Sequence, residues 1–210
     1  AAIGNGVTST APEVDNLVRR LPLVFNINDT LYPSFGLEVL RAAAGAKSYT
    51  LKTNEIGVEA LRVKGLPIIT TDPNARVWAT WNTQFERISA KDYAEKAPEY
   101  PIVLLGVTAR GASTLVATPD GLKAPHEIQA SAISTLLQGK NIARPDWADG
   151  AEILALAVIL SAIAALAFNL YFSIPALIVA IVTSIGYTSY TFSSSYTLLD
   201  PSYIIFAAFI

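Results

Sequence analysis

The 210-residue chain has no cysteine and one histidine. The first absence excludes disulfides, thiolate chemistry and cysteine metal sites; the second leaves no His-rich metal centre. Basic charge is missing from one end. All fifteen Lys and Arg lie at or before Arg144, and only Glu152 and Asp200 are acidic in the last sixty residues. Residues 1–150 balance fifteen basic against fifteen acidic side chains. That half therefore has no long-range field to attract nucleic acid or an anionic membrane face. No signal peptide is expected in the opening AAIGNGVTSTAPE, which has neither an initiator Met nor a basic stretch leading into an apolar run. The opening is expected to follow a removed segment or to lie within a longer protein. In place of charge there is apolar content, 52% of the residues with a mean hydropathy of +0.41, high for a soluble chain.

The excess gathers at the end, and the chain divides near Gly150. Ile153 to Phe172 reads ILALAVILSAIAALAFNLYF, twenty residues without charge, enough helix for roughly 30 Å of hydrocarbon. Pro175 suits the first turn of a second helix, PALIVAIVTSIGYTSYTF, ending at Phe192. A tight turn between the two predicts an antiparallel hairpin. YIIFAAFI begins a third apolar segment whose eight residues cover about 12 Å, so continuation beyond Ile210 is expected. Trp147, Tyr187, Tyr190, Tyr196 and Tyr203 flank the runs, as interfacial aromatics do. The competing reading, a buried helical core, calls for a polar stripe that these runs lack. The loops among the helices hold no Lys or Arg, so charge does not set the orientation. The expected division is 1–146 for the first domain and 147–210 for the helices, at about 150–172, 175–192 and from near 202 to the cut at 210.

The first half predicts an α/β domain, a mixed sheet with flanking helices. RRLPLVF reads as a strand, NINDTLYPSFGLEVLRAAAG as a loop and then a helix from near Pro33 to Gly45. SYTLK, VEALRV, LPIITT and RVWATWN read as a meander or hairpin with DPNA as a turn. Ser89 caps the helix AKDYAEKA, which Pro98 stops. IVLLGV is expected as a fully buried strand pairing in parallel. Pro125 starts the helix HEIQASAISTLLQ, Gly139 closes it, and Ile128, Ala132, Ile133, Leu136 and Leu137 form its core face.

Sites follow from loop ends and charges. The turn 106-GVTARGAS-113 lacks the Gly-Lys-Ser/Thr ending of a phosphate loop and the dinucleotide pattern. Strand ends of α/β sheets hold ligands, so Thr108, Arg110 and Ser113, with Glu127, are the ligand-pocket candidates. His126, near a helix start, is expected at the surface or as a cap, and with one His no hydrolase triad is supported. Glu13 and Asp15 are spaced as in a turn, not a calcium loop, and are expected to pair with Arg19 and Arg20. No catalytic residue, metal ligand or cofactor is expected.

VRRLPLVF, LYPSFGLEVLRAAAG, YPIVLLGVTARG, VATPDG, EIQASAISTLLQG and RPDWADG before apolar helices stand in the order seen in CHASE type 2 domains, which the chain resembles over nearly all of residues 10–210. The resemblance implies an extracytoplasmic sensory domain of a bacterial receptor in the inner membrane, on its periplasmic side, followed by three transmembrane helices and a cyclase or kinase module beyond Ile210. It also implies an anchor and a first α/β portion ahead of PEVDNLVRRLPLVF. Arg144, Pro145 and Trp147 would form the joint between domain and membrane. The family often has an acid where this chain has Thr114, and Ile-His-Ala where it has Ile128, Gln129 and Ala130. The function implied is a non-enzymatic sensor or interaction domain relaying a signal through its helices, with lipid bilayer and a second copy of itself as partners and a ligand without identity. The alternative is an accessory subunit of a larger membrane complex, its partners other membrane subunits, with Ala162, Ala165, Gly186 and Ser189 allowing close helix contact.

Overall fold

The computed structural model describes residues 3–81, 83–96, 101–109, 111, 113–139, 142–145, 147–166 and 170–207. The chain forms two compact units, Ala1–Asn141 and Ile142–Ile210.

The first unit is a mixed α/β domain. Its strands are β1 (Arg20–Pro22), β2 (Val24–Ile27), β3 (Thr30–Pro33), β4 (Tyr49–Thr53), β5 (Val58–Val63), β6 (Ile69–Thr70), β7 (Arg76–Trp78), β8 (Val116–Thr118) and β9 (Gly121–Lys123). Its helices are α1 (Phe35–Ala43), a short turn of helix Ala90–Asp92 leading into α2 (Tyr93–Lys96), and α3 (Pro125–Gln138). The expected mixed sheet resolves, among the described residues, into four small antiparallel sheets: β1 with β7, β2 with β3, the meander β4-β5-β6, and β8 with β9.

Several local expectations change. RRLPLVF is two strands, because Pro22 ends β1 and Leu23 bends the chain into β2. The stretch after it, read as a loop, is the β2–β3 hairpin. Asn28 and Asp29 both take positive φ, 51° and 60°, the primed turn that matches strand twist. RVW leaves the meander and pairs with β1, Arg20 opposite Trp78. Residues 102–107 are not a strand: no ladder forms on them, Ile102 and Leu104 rest half-buried on the core, and Val103, Leu105 and Val107 are exposed. A fully buried strand needs partners on both edges, and no described strand supplies one. Ser89 precedes its helix without a side-chain cap bond, and Pro98 lies outside the described residues.

The helices behave as their caps dictate. The Ser34 hydroxyl accepts the Leu37 N–H at 3.3 Å to start α1. Pro125 opens α3, and Gly139 ends it in the left-handed region at φ 64°, a conformation Cβ-bearing residues resist. The main core joins Leu37 and Leu40 of α1 to Leu61 and Val63 of β5, Ile69, Val77, and Ile133 and Leu136 of α3. Each buried Leu contributes about 1.5–3 kcal/mol relative to exposure. A second cluster gathers Val18, Leu21, Trp81, Ile128 and Ala132. Leu137, expected in the core, is half exposed; it lies past the edge of the arc carrying Ile128, Ala132 and Leu136.

The second unit holds α4 (Ala148–Leu166), α5 (Leu170–Ser195) and α6 (Ser202–Ala207), each packing on the other two. Among the described residues one segment is long and apolar enough to cross a bilayer, Ile174–Ser195 of α5, with none of it buried. The expected bundle thus reduces to one candidate span. After Glu152, α4 offers Ile153–Leu166, about 21 Å of helix against roughly 30 Å of hydrocarbon. The expected run to Phe172 crosses residues 167–169, outside the described set, and Leu170–Phe172 already belong to α5. Pro175 therefore sits inside α5 instead of opening it. It is near enough the helix start that its missing N–H removes only one early bond, to the Tyr171 carbonyl. The end of the third apolar segment, 208–210, also falls outside the described residues.

Candidate functional site

Three polar constellations stand on this frame. The first is the start of α3. Glu127 accepts the Ala124 N–H at 2.8 Å, half of a capping box that an alanine cannot complete, and pairs with Arg87. Burial opposes its ionised form, but the Ala124 N–H and the Arg87 and His126 charges outweigh that and lower its pKa. Gly106 approaches the His126 ring so closely that a Cβ there would lie 2.1 Å from Cγ. His126, expected at the surface or as a cap, is instead half-buried and packed against Gly106.

The described ligand-pocket candidates each bond elsewhere or not at all. Thr108 is exposed, and the Ser113 hydroxyl makes a marginal 3.5 Å bond to the Val107 carbonyl. No hydrogen bond joins either to Glu127 among the described residues, and Arg110 lies outside that set. Glu127 has both carboxylate oxygens engaged by the protein. Gln129, where the family often carries His, is buried and donates from Nε2 to the Thr8 carbonyl at 3.4 Å, while Thr114 is exposed.

The second constellation, reached by the expected pairing of Arg19 and Arg20 with Glu13 and Asp15, is larger than that pairing. Arg19 holds Asp15 in a bidentate grip at 2.9 and 2.6 Å and stands 3.5 Å from Glu13. The Arg20 Nε donates to Glu13 at 2.8 Å and its Nη1 to Asp72 at 3.1 Å, while the Arg76 Nε donates to the same Asp72 oxygen at 2.8 Å. The Asp72 Oδ1 accepts the Asn74 and Arg76 N–H groups, which fixes the DPNA turn. The Arg20 guanidinium also lies 5.3 Å from the Trp78 ring centroid. Hydrogen bonds from Arg19, then the Leu17 N–H, hold the Asp15 pKa at about 2. An open groove of about 510 Å³ runs past Arg19, Arg20, Arg76 and the stretch Pro12–Asp15. Sequence reasoning missed Asp72 and Arg76, because their approach to Arg20 depends on the β1–β7 pairing.

The third lies in the second unit. Arg144 Nη2 donates to Asp149 at 2.6 Å and to Glu152 at 2.7 Å. Glu152, 9% exposed, uses its other oxygen to accept the Asp200 N–H at 2.7 Å. Ala143 forms a parallel bridge with Thr197, its N–H reaching the Tyr196 carbonyl at 3.0 Å and its carbonyl accepting the Leu198 N–H at 2.9 Å. The segment entering α4 is therefore fastened to the α5–α6 connection by two backbone bonds and one buried carboxylate. The Pro145 carbonyl accepts the Ala148 N–H and the Trp147 carbonyl the Ala151 N–H, starting α4, while the Trp147 ring is mostly exposed. Hydrogen bonds to Asp149 outweigh desolvation and raise the Arg144 pKa. Those from Ser202 lower that of Asp200.

Among the described residues no group of three or more His, Asp or Glu is placed to hold a metal. Comparison with curated proteins and with solved structures gave no match. The family model of the CHASE2 domain matches residues 1–166, and the chain belongs to that family of non-catalytic sensory domains.

Proposed function

We propose that the protein is a membrane-anchored, extracytoplasmic sensor of a bacterial inner-membrane receptor, with residues 1–146 as the sensory domain and 147–210 as the membrane portion. Arg144, Pro145 and Trp147 form the joint. The observation that carries the relay is the fastening of residues 143–144 to α4 and to the 196–200 connection at once. A shift of the exit segment then moves two helices instead of one. A ligand acts by favouring one of two arrangements of that joint through unequal affinity for them.

Gln129 favours a second reading, an accessory subunit of a larger membrane complex. The position where the family often has His is committed here to a bond inside the domain. Copurification at fixed stoichiometry with other membrane proteins would select it.

Topology provides the test. The chain has no cysteine, so V14C, at a fully exposed position, gives a single reporter. A membrane-impermeant maleimide should label it in intact spheroplasts; labelling only after lysis would end the extracytoplasmic reading.

A further inference from the structure

The groove between Pro12–Asp15 and the arginines of β1 and β7 has more cationic donors than its partners use. A guanidinium carries five N–H donors. Among the described residues the Arg76 side chain donates only through Nε, and Arg20 leaves Nη2 free of protein partners. Both side chains are three-quarters buried, and their guanidinium groups are pinned by one shared Asp72 oxygen, Arg20 further by the Trp78 face. They are pre-organised, so little rotamer entropy remains to be lost on binding.

The opposite wall is different in kind. Glu13 and Asp15 belong to a stretch without strand or helix, closed on itself by Glu13 N–H to Leu17 O and Asn16 N–H to Glu13 O, with Asn16 at φ 61°. Val14 at its tip is fully exposed. No buried apolar side chain anchors residues 11–16, so ion pairs to Arg19 and Arg20 hold the stretch down. The Arg19–Asp15 pair is the accessible one, with Asp15 half exposed, and an ion pair of that exposure is weak and exchanges with solutes. Two carboxylates already sit side by side on these cations, one bidentate on Arg19 and one bridging Arg19 and Arg20, so the site accepts two carboxylates at once.

We propose that this groove is a binding site for a small di- or tricarboxylate, and that Glu13 and Asp15 occupy it in the ligand's absence as an internal mimic. Ligand carboxylates replace theirs on Arg19 and Arg20 and reach the free donors of Arg76, releasing the 11–16 stretch. The groove is then the input of the sensor proposed above and rests on that reading for its purpose. Binding is measured by itself, so its failure and a failed topology are distinct results.

The probe is citrate, titrated calorimetrically at low salt into the full chain in nanodiscs, with inorganic phosphate as competitor. E13Q/D15N, which removes the mimic, is expected to bind citrate about tenfold more tightly than the unmodified chain. Adding R19Q, a change at a side chain whose polar partners among the described residues are Glu13 and Asp15, should reverse that gain with the unfolding temperature held. Equal affinity of E13Q/D15N and the unmodified chain, no effect of R19Q, or phosphate competing as well as citrate would each overturn the proposal.

Discussion

Replacing Arg144 by Gln removes the cation between Asp149 and Glu152, and the two carboxylates respond unequally. Asp149 is exposed, so its loss is that of a surface pair, about 0–1 kcal/mol. Glu152 is 9% exposed and, among the described residues, keeps the Asp200 N–H at 2.7 Å. Stripping the partner from a fully buried pair costs about 3–5 kcal/mol. Arg144 is one-third exposed, and the surviving N–H still solvates the carboxylate, which brings the cost to about 1–2 kcal/mol. The 196–200 connection should then detach from Ala143 and Glu152 more often. Hydrogen exchange by mass spectrometry in nanodiscs reads this directly at Leu198, bonded to Ala143, and at Asp200, bonded to Glu152. Both amides are expected to exchange about 5–30-fold faster in R144Q. In R144Q/E152Q the buried charge is gone, so exchange should be slower than the product of the single effects predicts, a coupling of about 1 kcal/mol. Unchanged exchange at 198 and 200 in R144Q, or strict additivity in the double variant, would refute the clamp.

Two other residues give sharp expectations. Gly106→Ala places a Cβ 2.1 Å from His126 Cγ and should destabilise the first unit by about 1–3 kcal/mol; H126A in the same chain should restore most of the unfolding temperature. Glu127 has a folded pKa below its unfolded value, so its stabilising contribution is full above the unfolded carboxylate value of about 4.3 and lost as pH falls through the folded one. Thermal unfolding should therefore fall less steeply below about pH 4.3 in E127Q than in the unmodified chain; identical slopes would show that the Ala124 and Arg87 contacts do not form.

Legibility in the sequence followed the range of the interaction. The ends of α1 and α3 were readable because Ser34, Pro125 and Gly139 act within one turn of helix. The Arg19 and Arg20 pairs with Glu13 and Asp15 were readable for the same reason of proximity. What depends on distant pairing was not. Nothing near Arg76 signals that β7 leaves the meander for β1, so the Asp72–Arg76 half of the groove stayed hidden. Residues 102–107 have the composition of a buried strand, yet composition carries no information about whether a neighbour pairs with them. The β2–β3 hairpin is a different case, since Asn28–Asp29 between two β-rich runs is a local turn signal that was present and passed over. In the second unit apolar content announced a candidate membrane span, found at Ile174–Ser195. Helix boundaries were misplaced because Pro175 is tolerated early in α5, where one missing N–H costs little.

The central claim is that Ala143, where the chain enters the second unit, is tied to the α5–α6 connection. With no native cysteine, A143C/T197C puts one thiol on each partner of the parallel bridge, a pairing close enough for a disulfide. Mild oxidation in native membranes should produce an intramolecular cross-link, seen as a faster band on a non-reducing gel. No cross-link, or only one between two copies, would contradict the account.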